Sequence, residues 1–307
     1  MLIINLIKIS RPIHWTKNIG LFAALVFSGY LFDRNLFMRV VWAFWVFNLA
    51  TSATYILNDV MDAKRDRLHP IKKNRPIAKG ELSSIIALGL AILLSITSLI
   101  WAEAISHVFF LLILTYFVLQ IAYSFGLKNI HIVDILIIAT GFIIRVYSGA
   151  FIIDAHLSVW FLLCVVSVAL FLASGKRRAE LGALGSATQT RISLQGYSTE
   201  LLDSYVTMFG NAAWMSWALY TFFESPRATV PFWLILAEVS RTTTIAKLLM
   251  ITIPVTIFGI MRYQSLIFEG RTEAPEKLLL KDKALVGSVI IWVTMVIWVL
   301  YGGIALI

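Results

Sequence analysis

Long apolar runs separated by short polar interruptions fill this chain, and most of the runs are longer than an ordinary buried helix requires. A helix that crosses a bilayer needs roughly 17–25 predominantly apolar residues. Nine segments approach or meet that length: about 17–32, 36–57, 82–102, 106–124, 131–153, 157–174, 200–223, 243–263 and 284–305. Residues 1–16 are apolar around Asn5 and Lys8 but too short to span, and predict a helix lying at the membrane interface. Pro254, inside the eighth run, predicts a kink or a packing point against neighbouring helices. No repeat, low-complexity stretch or linker divides the chain. The pattern therefore predicts an all-α integral membrane protein in which residues 1–307 form one domain.

Composition strengthens that reading. With 59% of the 307 residues apolar, 14% charged and a mean hydropathy of +0.84, a soluble core could not absorb so much apolar surface. A net charge of +9 would suggest nucleic acid for a soluble chain, but here most of the bases lie between spans. No nucleic-acid partner is expected. Twenty of the 26 Lys and Arg fall in the N-terminal segment and the loops after even-numbered spans, and Arg145 lies within the fifth span. By the positive-inside rule, the N-terminus and those loops are expected on the cytoplasmic side of the cell membrane. The single cysteine, Cys164, rules out an intrachain disulfide.

Candidate chemistry gathers where span two meets the cytoplasm. If that helix continues past the membrane surface, Asn58, Asp59, Asp62 and Asp66 share one face at spacings of three and four. Clustered carboxylates repel one another and favour a bound cation. An all-oxygen donor set suits Mg2+, which commonly completes its shell with phosphate oxygens. Pro70 and Pro76 are expected to end the helix, and Lys72, Lys73 and Arg75 beside them have the chemistry to grip phosphate. The bland alternative is a solvated loop of local ion pairs, such as Asp62 with Arg65. The single carboxylate stripe followed by bases favours a Mg2+–diphosphate site.

Asn58-Asp59-x-x-Asp62-x-x-x-Asp66, followed by His69-Pro70-x-Lys72-x-x-Arg75-Pro76, resembles the first aspartate-rich motif of the UbiA-type intramembrane prenyltransferase superfamily. Further similar stretches are Arg11-Pro12-x-x-Trp15-x-Lys17-Asn18, Tyr123-Ser124-x-x-Leu127-Lys128, Phe142-x-x-Arg145, Lys176-Arg177-Arg178-Ala179-Glu180 and Arg262-Tyr263. The resemblance covers nearly the whole chain and is strongest to the decaprenyl-phosphate phosphoribosyltransferase branch. It implies nine helices around a central cavity open to the cytoplasm, with active-site loops at 58–80 and 174–199. It implies Mg2+ held by Asn58, Asp59, Asp62 and Asp66, and catalytic roles for Asp59, Asp62, Asp66, Lys72 and Arg75. Substrate contacts are implied for Lys17, Lys72, Arg75, Tyr123, Lys128 and Asp134. They are implied as well for Arg145, Lys176, Arg177, Glu180 and Arg262.

One departure from the superfamily pattern is informative. Members that alkylate aromatic acceptors usually carry a second aspartate-rich motif after span six, where this chain reads Ser174-Gly175-Lys176-Arg177-Arg178. Bases in place of acids favour substrates with more negative charge: phosphoribosyl diphosphate, with its additional 5-phosphate, and a polyprenyl phosphate. The expected reaction is Mg2+-dependent phosphoribosyl transfer to that lipid, as in cell-envelope arabinan synthesis, inverting the anomeric carbon. A phosphate nucleophile is already ionised and needs no general base. The five scattered histidines fit that absence. The rivals are a prenyltransferase using an isoprenyl diphosphate, a lipid transporter, whose spans would hold more mid-membrane polar groups, and a non-catalytic subunit of an envelope complex. For Arg145 the alternative role is snorkelling or pairing with Asp154, and for Asp134 a carboxylate favoured by a helix N-terminus.

Overall fold

The structure, a computed structural model, describes residues 2–68, 72–184, 196–224, 245–269 and 281–302. His69, Pro70, Arg191, Arg227, Arg241, Arg271 and Lys277 lie outside the described residues. Regular structure among those described is entirely helical: α1 (Leu2–Ser10), a 3-10 helix (Pro12–Leu21), α2 (Phe22–Phe27), α3 (Arg34–Asp66), α4 (Pro76–Lys79) and α5 (Ser84–Ile105) come first. They are followed by α6 (His107–Phe125), α7 (Val133–Ile152), α8 (Val159–Leu184), α9 (Thr199–Phe223), α10 (Ile253–Phe268) and α11 (Lys283–Tyr301). Seven helical stretches among the described residues are long and apolar enough to cross a membrane. The chain is a multi-pass membrane protein.

The run expected at 17–32 is not one continuous helix. Arg11 takes a left-handed conformation (φ 51°), Pro12 opens the 3-10 helix, and α2 adds only six residues before the turn at Gly29. This broken segment is pressed against α7, where a Cβ on Gly149 would lie 1.9 Å from the carbonyl oxygen of Leu21. Only a glycine admits the backbone that closely. The eighth run is also composite, a 3-10 helix (Ile245–Thr252) passing into α10 with Pro254 in its first turn. Proline is tolerated there because its missing N–H is not needed.

Length is what carries α3 to the site. Asp33 caps it by accepting from the backbone N–H of Asn35 and Leu36 at 2.9 and 3.0 Å. At 1.5 Å per residue its 33 residues run about 50 Å, against a hydrocarbon thickness of about 30 Å. Asn58 to Asp66 are thus helical rather than loop. The helix stops at Asp66, ahead of Pro70, while Pro76 begins α4 instead of ending α3. Likewise α8 continues to Leu184, so Lys176 to Glu180 stand on a helix. The apolar windows of α3 and α7 are 61% buried, those of α5 and the α10 stretch 22%, which makes α3 and α7 the inner helices. One core packs Phe47, Phe109, Ile113 and Tyr116 between α3, α6 and α7. A second packs Phe161, Trp217, Tyr220 and Val299 from α8, α9 and α11, with Phe27 of α2 against it.

Candidate active site

The carboxylates on the last turns of α3 meet cations from three other parts of the chain, Arg11, Arg75 and Lys128. Asp59 and Asp66, seven residues apart and both buried, are bridged by one nitrogen of Arg75, which donates to Asp59 Oδ1 at 2.9 Å and Asp66 Oδ2 at 2.6 Å. Arg11 also donates to Asp59 Oδ1, at 2.5 Å, while its guanidinium lies over the Tyr55 ring. Lys128 reaches across from the turn after α6 to hold both oxygens of Asp62, at 2.7 and 2.9 Å. Ser124 of α6 donates to Asn58 Oδ1 at 3.2 Å. Asp62 therefore pairs with Lys128 and not locally with Arg65, so the i,i+3 solvated-loop reading does not describe this face.

The mutual repulsion of these carboxylates is relieved here by protein cations. Among the described residues no three acids, histidines or cysteines converge on a point that could hold a metal ion. The donor chemistry nevertheless suits a hard cation. Asp59 Oδ2 and Asp66 Oδ1 make no protein hydrogen bond among the described residues, and every side-chain donor on the face is oxygen.

On α8 the consecutive bases separate, because successive helical positions point about 100° apart. Arg177 is fully buried, its Nε in ionic contact with Asp134 Oδ2 at 2.6 Å and its Nη2 donating to Tyr123 at 2.8 Å. A third contact runs to Glu180. Arg178 turns the other way, to Asp203 of α9 at 2.5 Å. Lys176 is half-buried with no ion-pair partner among the described residues. Of the three consecutive bases that favour anionic substrates, two are engaged by carboxylates, Asp134 and Asp203, which stand too far away in sequence for spacing to show it.

Residues 19–176 match the UbiA prenyltransferase family. Decaprenyl-phosphate phosphoribosyltransferase of Mycolicibacterium smegmatis is 36% identical over 297 residues, which span 95% of this chain and 91% of that protein. The chain belongs to the UbiA prenyltransferase family. The protein of the same name from Corynebacterium glutamicum is 34% identical, over 97% of this chain and 87% of its own. A solved UbiA homolog from Archaeoglobus fulgidus, bound to DMAPP and Mg2+, matches 99% of this chain and 100% of that one with a TM-score of 0.70. At 16% identity that likeness establishes the fold alone.

The remaining residues singled out from the UbiA motifs lie in differing surroundings. Arg145, buried in α7, neither snorkels nor pairs with Asp154. Its Nε donates to Asn18 at 2.6 Å, its other nitrogens to the Gly141 carbonyl and, at 3.2 Å, to Tyr116, and Phe47, Tyr116 and Phe142 surround it. Asn18 in turn donates to Asn48 at 2.6 Å, so Arg145 ties the 3-10 helix to α3 and α7. Lys17 is half-buried beside Asn18, and Lys72 is exposed on a single 3-10 turn, Lys72–Asn74. Arg262 grips Asp282, the N-cap of α11, through two bonds of 3.1 and 2.7 Å.

Arg11, Ser124 and Tyr197 contribute to the site without being among the residues the sequence singles out for metal or substrate. Arg11 belongs to an N-terminal motif, and its left-handed conformation just before Pro12, which spacing does not show, accompanies its approach to Asp59. Tyr197 follows α8 in sequence, yet its hydroxyl donates to Asp134 at 2.8 Å and accepts from the N–H of Ile132 at 2.6 Å. Ile132 has a φ of 66°, costly for a β-branched residue, at the turn that starts α7. Burial, the largest influence, pushes the Tyr197 phenol above its ordinary value, so it stays a donor to Asp134 through neutral pH.

Proposed function

We propose that this UbiA-family chain transfers the 5-phosphoribosyl group of phosphoribosyl diphosphate to a polyprenyl phosphate, releasing diphosphate. The observation that carries the reading is the pairing of acids with bases on α3, joined to bases in place of a second acidic motif on α8. Asn58, Asp59, Asp62 and Asp66 would hold Mg2+, which when bound neutralises charge on the departing diphosphate. Arg11, Arg75 and Lys128 stand within hydrogen-bond reach of the same carboxylates. A diphosphate entering there meets cations already oriented, which favours charge developing as the bond to ribose breaks.

Lys176 is the α8 base available to the 5-phosphate. Arg177 instead orients Tyr123 and Glu180 from within the protein. The phosphate oxygen of the lipid attacks the anomeric carbon, the carbon–oxygen bond to diphosphate breaks on the opposite side, and the carbon inverts. Residues 58–80 and 174–199 lie on the cytoplasmic side of the cell membrane in this reading, with residues 1–16 at the interface and residues 1–307 forming one domain. Support comes from the excess of bases around these segments and from the relatives' names. The test is donor choice by purified, lipid-reconstituted protein with Mg2+. Label is expected to pass from phosphoribosyl diphosphate to polyprenyl phosphate; transfer only from an isoprenyl diphosphate would replace this reading with prenyl transfer.

A further inference from the structure

Outside the acidic face, a second polar feature lies on the seam between the ends of α3 and α6. An open pocket of about 290 Å3 is lined there by Asp62, Lys64, Arg65, Ser124, Lys128 and Asn129, together with Met61 and Phe125. At 100° per residue, Met61 and Arg65 lie on the flank of α3 next to Asn58 and Asp62, turned away from Asp59 and Asp66. The Asp62–Lys128 pair is therefore a shared wall, with the candidate active site on one side and this pocket on the other.

Three observations describe what the pocket suits. First, Lys64 and Arg65 are exposed and have no hydrogen-bond or ion-pair partner among the described residues. With Lys128 set against Asp62, the lining carries a net charge of +2, which complements a phosphate monoester at about −1.5 to −2 better than a singly charged diester. Second, Asn129 has a buried side-chain oxygen with no partner, so its amide can turn either end to a ligand. Third, Phe125 of the lining is 76% exposed and begins an uncovered apolar stripe up α6 through Ile121, Val118, Leu114 and Leu111. Spacings of three and four keep that stripe on one face, and it rises about 21 Å from the pocket. The pocket has room for a phosphate head group, and the stripe offers a path for a long hydrocarbon chain.

We propose that the α3–α6 pocket is a lateral docking site for the polyprenyl phosphate acceptor, which binds by its phosphate at Lys64 and Arg65 before crossing the Asp62–Lys128 wall. The proposal rests on the transfer reaction above for the identity of the lipid. Its test separates the two, using the full chain in phosphatidylcholine nanodiscs with decaprenyl phosphate as the probe. The double variant Lys64→Ala/Arg65→Ala should raise the KM for decaprenyl phosphate about thirtyfold, about 5.4-fold for each of the two charges lost at a membrane surface. The kcat and the KM for phosphoribosyl diphosphate should hold. Asn129→Asp, which adds a repelling carboxylate without touching the basic residues that set topology, should shift the same constant in the same direction.

Native mass spectrometry supplies a reading independent of turnover. The unsubstituted protein should retain decaprenyl phosphate without any donor, and both variants should lose it. Retention by the unsubstituted protein with no transfer from phosphoribosyl diphosphate would support the pocket while removing the proposed activity. Normal lipid KM and retention in both folded variants would overturn the pocket and leave the activity standing. An equal rise in both KM values, or displacement of decaprenyl phosphate mole for mole by phosphatidylglycerol, would also overturn it.

Discussion

At the scale of single residues, the account separates side chains that meet substrate from side chains that hold others in place. Asp59→Ala and Asp62→Ala should each lower Mg2+-dependent turnover by about 10²–10³-fold; turnover unchanged at saturating Mg2+ would remove them from the metal set. On α8 two neighbouring bases should behave differently. Lys176→Ala should raise the KM for phosphoribosyl diphosphate about tenfold, the loss of one charge-assisted contact, with thermal stability intact. Arg177→Ala strands Asp134 in the interior and should cost about 3–5 kcal/mol of stability, read as a lower unfolding temperature in detergent. The types of residue at the site were legible in the sequence because helical spacing puts Asn58, Asp59, Asp62 and Asp66 on one face. Their partners were not. Arg11 to Asp59 spans 48 positions and Lys128 to Asp62 spans 66, distances set by packing between helices rather than by local pattern.

At the scale of elements, hydropathy located the long helices but not their true ends. It marks where lipid stops, whereas α3 and α8 continue as polar helices beyond that point and carry the site on rigid supports. The reverse holds for the first run, which is apolar enough to span but passes from a 3-10 helix into six residues of α2, ends at the turn at Gly29 and packs directly on α7. Gly149→Ala tests that packing. A Cβ there has no room beside the Leu21 carbonyl, so the variant should lose about 1–3 kcal/mol of stability, and activity should fall as Arg11 shifts from Asp59. Asn18 and Arg145 join the same broken segment to α3 and α7. Asn18→Ala and Arg145→Ala should accordingly be non-additive in unfolding temperature, as expected of residues in one network.

For the whole molecule, the all-helical membrane architecture agrees with what composition and apolar periodicity implied, and membership of the UbiA family agrees with the resemblance carried by the motifs. The orientation in the membrane is a separate matter, and the chain is convenient for measuring it because its one cysteine, Cys164, is buried. Glu81→Cys should be labelled by a membrane-impermeant thiol reagent only from the cytoplasmic side, and Asn35→Cys only from the other. The most direct measurement of the central claim is the mass and anomeric configuration of the lipid formed when purified protein is given Mg2+, phosphoribosyl diphosphate and decaprenyl phosphate. A decaprenyl phosphate carrying one 5-phosphoribosyl group, inverted at the anomeric carbon and formed about 10²–10³-fold more slowly with Asp59→Ala, is the predicted result. Unchanged lipid with intact donor, from protein that does use an isoprenyl diphosphate, would contradict it.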